Sequence, residues 1–457
     1  MLSSLGGGGF LLARPHAGPR SRSGSEGDDV CFDFFVDAPG RGVDAEVRPT
    51  LTPVTLTFGA AEQVFHVGHG SVAVPGCLPG YLHVHRRLGR LPLEQVVAPA
   101  VRAAQGGVVL GAGQTAIVHL VDPILTLTAA GRQRFRPHGQ RLAHDAVVAD
   151  PALAGLLTDI GSGAVTGFAD PALAADIEAA NRSGGGVLTA ADLAAYQVHE
   201  REPLRLRYRD TTLVTNPPPS SGASLIGRAL EAAAAVPPLP ADVPDRLVRL
   251  TDVLAAMARR PTGPTATTGT THISVADAEG NLAAMTVSNG SGSGVHLGTT
   301  GVLANNIMGE EDLLGPVAGD RGVRLPAGTR IGSMMAPTLL DRDHAPTVVL
   351  GSGGSERIRS AIAQVVLRLV DEGAALEDAV RAARIHLDAA GIVQIEPGHP
   401  DEQVVALRAA GVATNVWPVS DLYFGGVHAV TTDGQHAGDP RRGGCSGRAG
   451  ADDTAAR

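Results

Sequence analysis

Thr270 and Ser288 are the two hydroxyl residues of this chain whose spacing could do chemistry together. A threonine hydroxyl is a poor nucleophile until a neighbouring base takes its proton. A free α-amino group on the same residue would be such a base, and a chain break at Gly269–Thr270 would create one.

The elements that must position this pair are legible. Two runs rich in β-branched and apolar residues, 271–277 and 282–288, flank Ala278-Glu279-Gly280-Asn281 and predict a β-hairpin. Pairing Asp277 with Leu282 would set Thr271 opposite Ser288 and Thr270 opposite Asn289. Directly opposed residues have Cβ atoms about 4.5–5.5 Å apart, so Ser288 falls beside the start of the first strand. Further on, a strand over 347–352, a glycine turn and a helix over 357–372 aim the backbone amides of Gly354 and Ser355 at one point near a helix N-terminus. That arrangement suits an anion. Glycine-rich as it is, the turn is followed by no Gly-Lys-Ser/Thr, which argues against a nucleotide.

An ordered set of motifs resembles the γ-glutamyltransferase (γ-glutamyltranspeptidase) family of N-terminal-nucleophile hydrolases. It comprises Leu5-Gly6-Gly7-Gly8-Gly9-Phe10, Val74-Pro75-Gly76, Gly89-Arg90-Leu91-Pro92-Leu93, Gly184-Gly185-Gly186-Val187-Leu188-Thr189, Pro217-Pro218-Pro219-Ser220-Ser221-Gly222, Thr270-Thr271-His272, Asn305-Asn306-Ile307-Met308, Ser333-Met334-Met335-Ala336-Pro337-Thr338 and Gly351-Ser352-Gly353-Gly354-Ser355. The resemblance implies an α+β fold, the four-layer αββα sandwich. It also implies self-cleavage before Thr270, giving a large region 1–269 and a small region 270–457 that fold as one unit. Gly269 suits the strained backbone of an N-to-O acyl shift. By motif position, Thr270 is nucleophile and base, Ser288 supplies a hydroxyl to it, and Gly354 and Ser355 form the oxyanion hole. Asn289, Glu310 and Ser333 fall at substrate-binding positions. Glu310 and Glu311 read equally well as a solvated acidic turn.

The pocket departs from the family pattern. Phe35 stands where relatives place the arginine that grips the substrate's α-carboxylate, and phenylalanine supplies neither its charge nor its fork. Ile307 occupies a common glutamine site, and Met334 replaces the second of two serines. Met1 stands only four residues before Leu5, where relatives carry a further helix-rich segment, so the resemblance implies a longer gene product.

Composition narrows the classes. All 37 basic residues are arginine, which excludes a Schiff-base lysine, and the net charge of −9 disfavours nucleic acid. No apolar run reaches the ~18 residues of a membrane span. No signal peptide is legible, so the sequence as written reads as cytoplasmic, with the compartment left open. Cys31, Cys77 and Cys445 show no metal spacing, and His66, His69, His83 and His85 read as core or solvent-facing side chains. Neither a cofactor nor a metal is called for. Helices are expected at 93–105, 170–182, 222–236, 245–260, 357–372 and 375–387, with a capped start at Thr189–Asp192, a surface loop over 11–30 and a disordered tail over 443–457. The Gly6–Gly9 run reads as a tight turn near the site, and Asp439-Pro440-Arg441-Arg442-Gly443 as structural.

The leading expectation is thus a self-processing threonine hydrolase that takes an acyl group, γ-glutamyl as in glutathione, from an amide and passes it to water or an amine. The alternatives are the same chemistry on another amide, such as a glutaryl side chain or a small amidated acid, and an unprocessed homologue without catalysis.

Overall fold

The computed structural model describes residues 3–16, 29–58, 61–238, 240, 243–257, 265–266, 270–310 and 325–450. Two central sheets contain, in chain order, β1 (Gly8–Arg14), β2 (Val30–Phe34), β3 (His199–Arg201), β4 (Leu204–Tyr208), β5 (Thr211–Thr215), β6 (Thr271–Ala276), β7 (Leu282–Ser288), β8 (Thr338–Arg342), β9 (Val348–Gly353), β10 (Gly426–Thr431) and β11 (His436–Ala437). The first sheet runs β6-β7-β1-β2-β3 and the second β11-β10-β9-β8-β5-β4, with every ladder antiparallel.

Alternation along β1 explains how the layers form. Phe10 and Leu12 point into the core shared with the second sheet, where Leu339, Val349 and Leu350 lie. Leu11 and Ala13 point the other way, into a cluster with Cys77, Tyr81 and Val84 of α1 (Cys77–Leu88). A strand covered on both faces is apolar along most of its length, as β1 is from Gly8 to Ala13 and β9 is apart from Ser352. On the far side of the second sheet, α2 (Gly222–Ala234) and α3 (Arg357–Asp371) pack against β4 and β9. The result is helix, sheet, sheet, helix: the αββα sandwich.

Most expected helices stand where the periodicity put them: Leu93–Gly106, Pro171–Ser183, Gly222–Ala234, Arg246–Ala255 and Arg357–Asp371. Thr189 caps Ala190–Ala195 and shares a capping box with Asp192. Four expectations are corrected. The helix over 375–387 ends at Arg381, and Ile385–Leu387 is a strand paired with Val393–Ile395. The Gln364 side chain bonds both the N–H and the C=O of Ile385, and this tertiary contact overrides helix propensity. The loop over 11–30 holds strand at its ends, because β1 continues to Arg14 and β2 begins at Val30; 17–28 lie outside the described residues. The tail over 443–457 is ordered through its first part: the Arg448 guanidinium donates to the Gly434 carbonyl, and Gly444 N–H donates to Asp439. Residues 451–457 lie outside the described set. Gly8 and Gly9 belong to β1 itself and not to a turn. Among the described residues no helix is long and apolar enough to cross a membrane.

Leu12 is fully buried where β1 meets the second sheet. Leu12→Ala should cost about 2–5 kcal/mol, read as a lower urea midpoint of unfolding.

Candidate active site

The hairpin register differs by one residue from the sequence expectation. Thr271 pairs with Val287, His272 with Thr286 and Ala276 with Leu282. The turn explains the slip. Asp277 N–H donates to the Asn281 carbonyl, so the loop holds three residues, with Gly280 at φ 91° in the left-handed position such loops need. The Asp277 carboxylate accepts from Glu279 N–H, Asn281 N–H and the Asn281 amide, which locks the shorter turn. Continuing the ladder one step sets Thr270 across from Ser288 itself, not from Asn289.

Glycines press this pair against its surroundings. On one side β1 pairs Gly8 with Ser288, and a Cβ at Gly7 would stand 2.2 Å from the Ser288 carbonyl oxygen. On the other side a Cβ at Gly353 would stand 2.4 Å from the Thr270 carbonyl oxygen. Only glycine permits either approach. Thr270 and Ser288 are both buried. The Ser288 hydroxyl accepts from Gly290 N–H at 3.0 Å.

β9 runs directly into the turn at Gly354 and Ser355. Gly354 has φ 131°, and Ser355 has φ 62°, a left-handed conformation that costs a non-glycine residue about 1–3 kcal/mol. Such strain gathers at functional sites. Among the described residues neither the Gly354 nor the Ser355 N–H has an acceptor, so both are available to a ligand oxyanion.

Two residues along β6, His272 shares hydrogen bonds with the Thr286 hydroxyl (2.7 Å) and the Ser274 hydroxyl (2.9 Å). Its ring fills the space over Gly351, where a Cβ would meet Cε1 at 2.3 Å. Burial, with a smaller contribution from His428, lowers its pKa to about 3, so the imidazole is neutral in ordinary buffers.

The expected substrate residues divide. The Glu310 carboxylate lies close to Gly290, where a Cβ would come within 3.2 Å of its Oε1; Glu311 lies outside the described residues. Asn306 Oδ1 and Ser291 Oγ are buried without a partner among the described residues. Ser333 pairs through its backbone with Ala266, four residues before Thr270 in sequence, in the parallel ladder Gly332–Ser333 with Thr265–Ala266. Its hydroxyl accepts from Met335 N–H. Asn289, by contrast, is committed inward, accepting from the Ser4 hydroxyl and donating to the carbonyls of Leu303 and Ala304. Met334 is buried, with its sulfur accepting from Ser221.

Phe35 is buried and stacks on Phe10 with ring centroids 5.8 Å apart. An arginine, Arg330, lies beside this segment, but its guanidinium is already engaged. It donates to Asp33 (2.9 Å), the Phe35 carbonyl (2.8 Å) and the Gln197 carbonyl (2.6 Å), and its Nε stands 2.7 Å from Asp37. Gly269 lies outside the described residues.

One contact was not anticipated. Arg442, part of a motif read from the sequence as structural, donates to the Thr270 carbonyl at 3.5 Å. Asp439 and Arg441 of the same motif are structural as expected: the Asp439 carboxylate binds Arg384 and Arg441.

The sequence profile of the family described as gamma-glutamyltranspeptidase matches residues 1–260 and 252–449. The chain belongs to that family, and the threonine hydrolase chemistry expected from the motifs is that of its members. Among curated relatives, the acylase ACY 1 proenzyme of Pseudomonas sp. strain SE83 is 29% identical over 444 residues, 85% of this chain and 76% of that one. The glutathione hydrolase proenzyme of Pseudomonas aeruginosa is 28% identical over 441 residues, 84% and 75% of the two chains. Cephalosporin acylase from Bacillus halodurans shares the fold with a TM-score of 0.78 at 22% identity, covering 97% of this chain and 88% of that one.

Gly354→Ala would place a Cβ 2.7 Å from Gly425 Cα at a φ of 131°. Steady-state kinetics should show kcat reduced about a hundredfold or more with KM little changed, as for loss of an oxyanion donor. The pH dependence of stability has a definite sign. An unfolded histidine titrates near 6.5, so the unfolded chain binds more protons than folded His272, and stability is complete above about pH 6.5 and lost as pH falls. Urea midpoints should decline from pH 6.5 toward 4.5, and His272→Gln should flatten that slope.

Proposed function

We propose that this chain cuts itself before Thr270 and then hydrolyses or transfers acyl groups from small-molecule amides through an acyl-enzyme. The observation that carries this reading is the Thr270 environment: Ser288 across the ladder, Gly353 flush against its carbonyl and two unengaged N–H groups on the following turn. In the first step Thr270 Oγ attacks the Gly269 carbonyl carbon, and the peptide shifts to an ester. Water then cleaves the ester and releases the Thr270 amine. In turnover the hydroxyl proton passes to that amine as Oγ attacks the substrate amide carbon. Gly354 and Ser355 N–H groups receive the oxyanion. The amine proton then goes to the departing nitrogen, and water or an acceptor amine takes the acyl group. Regions 1–269 and 270–457 stay associated after the cut. Glu310 offers a carboxylate to a substrate ammonium group, with Ser333 and Asn289 shaping the walls around it.

A second reading concerns the acyl group. A γ-glutamyl group carries an α-carboxylate, and among the described residues Phe35 is buried and Arg330 is engaged, so neither offers it a cationic grip. This favours a glutaryl-type acyl group, and an acylase stands among the relatives beside the glutathione hydrolases.

Thr270→Ala should leave a single full-length band on a denaturing gel and abolish turnover, whereas the unaltered chain should give two fragments divided at Thr270. A Thr270→Ala protein that still splits or still turns over would refute the assignment. Turnover of a chromogenic γ-glutamyl anilide beside its glutaryl analogue decides the acyl group. A glutaryl preference above tenfold in kcat/KM establishes the second reading, and a γ-glutamyl preference of that size removes it.

A further inference from the structure

Arg442 touches the nucleophile's own backbone, and the family chemistry described above makes no use of it. Nη1 donates to the Thr270 carbonyl at 3.5 Å, and Nη2 to the Leu422 carbonyl at 3.4 Å. A Cβ on Gly353 would lie 3.3 Å from Nη1, and one on Gly354 would lie 3.5 Å from Nη2. The guanidinium therefore spans the Thr270 carbonyl and the turn that presents the oxyanion donors. The aliphatic stem packs on Gly426, where a Cβ would meet Cδ at 2.6 Å.

Little neutralises its charge. Nε is sealed from solvent and has no acceptor among the described residues. The motif's own carboxylate, Asp439, is committed to Arg384 (2.7 Å), Arg441 (3.2 Å) and Val427 N–H (2.9 Å). Two long bonds to carbonyls are weak return for a guanidinium in this position, since typical N–H···O distances are about 2.7–3.2 Å. Burial, with Arg357 nearby, lowers the Arg442 pKa to about 10, which still leaves it charged at neutral pH.

We propose that Arg442 is a positioning residue for Thr270: it fixes the nucleophile's carbonyl against the Gly353–Gly354 turn and, by its charge, keeps the α-amine freed by cleavage in its basic form. The inference rests on the proposed cleavage before Thr270. An ordinary α-amine titrates at about 7.7–8.0 and is mostly protonated at pH 7, which is unsuited to a general base. A cation within a few ångströms disfavours a second positive charge and lowers that pKa. At an effective dielectric constant near 20 the shift is on the order of one pH unit. The other charged or titratable groups around the pair are Arg357, Asp439 and Asp421 about Arg442, His272 and His428 on the neighbouring strands, and Glu310 beyond Gly290. The neutral His272 cannot do what Arg442 does.

The test compares Arg442→Gln and Arg442→Lys with the unaltered enzyme. The readouts are kcat/KM against pH on a chromogenic anilide and the extent of cleavage on a denaturing gel. The acid limb of the Gln variant should move up by about one pH unit, with kcat/KM at pH 7 down roughly fivefold through kcat and not KM. The Lys variant, which keeps the charge, should retain the original limb. A cleaved Gln variant with an unmoved limb overturns the proposal. If the Gln variant is not cleaved, the Lys variant decides: cleavage with the original limb supports the role of charge, and failure of both overturns it. Loss of cleavage control by Thr270 itself, read from Thr270→Ala, would instead defeat the underlying assignment and is recognised separately.

Discussion

The site depends on close backbone approach. Gly7 and Gly9 lie against the carbonyls of Ser288 and Thr286, Gly353 against that of Thr270, and Gly351 under the His272 ring, each at a distance no side chain would tolerate. These contacts draw β1, β7, β6 and β9 together at one end of the sandwich. The chemistry needs a nucleophile, a hydroxyl partner and two amides at fixed separations. Backbone packing delivers those separations more rigidly than side chains could, because strands in two sheets have few ways to move. The strained Ser355 is held in place by the same packing.

Much of this was legible in the chain. Runs rich in β-branched and apolar residues predicted the hairpin, a strand was expected where β9 lies, helical periodicity predicted five long helices, and the glycine-rich motifs marked the turns that meet at Thr270. What escaped were features set by tertiary contacts. The register slipped by one because Asp277 closes a three-residue turn with its own carboxylate, and the flanking residues suit either register. Ile385–Leu387 looked helical until Gln364 claimed its backbone. Phe35 was readable as a missing arginine, but its stacking on Phe10 and the engagement of Arg330 nearby depend on segments far apart in sequence. Arg442 stood in a motif read as structural, since its position beside Thr270 arises only when the last strands fold back onto β9.

Machinery and recognition are thereby separated. The reaction geometry of the proposed function rests on glycine contacts and backbone N–H groups, which constrain few side chains. Recognition, in the function proposed, falls to other residues, with Glu310, Ser333 and the Phe35 segment as its candidates. A family built this way can exchange one acyl group for another by changing the second set while leaving the first intact, consistent with acylases and glutathione hydrolases standing at similar distances from this chain.

The interleaving of the strands has a mechanical consequence. In the first sheet β6 and β7 follow Thr270 while β1, β2 and β3 precede it, and in the second β8 to β11 follow it while β4 and β5 precede it. The β1–β7 and β5–β8 ladders both stitch one side of the proposed cleavage point to the other. Breaking a single covalent link there adds two chain ends without loosening either seam, so pulling the halves apart would require unzipping both sheets through their shared interior.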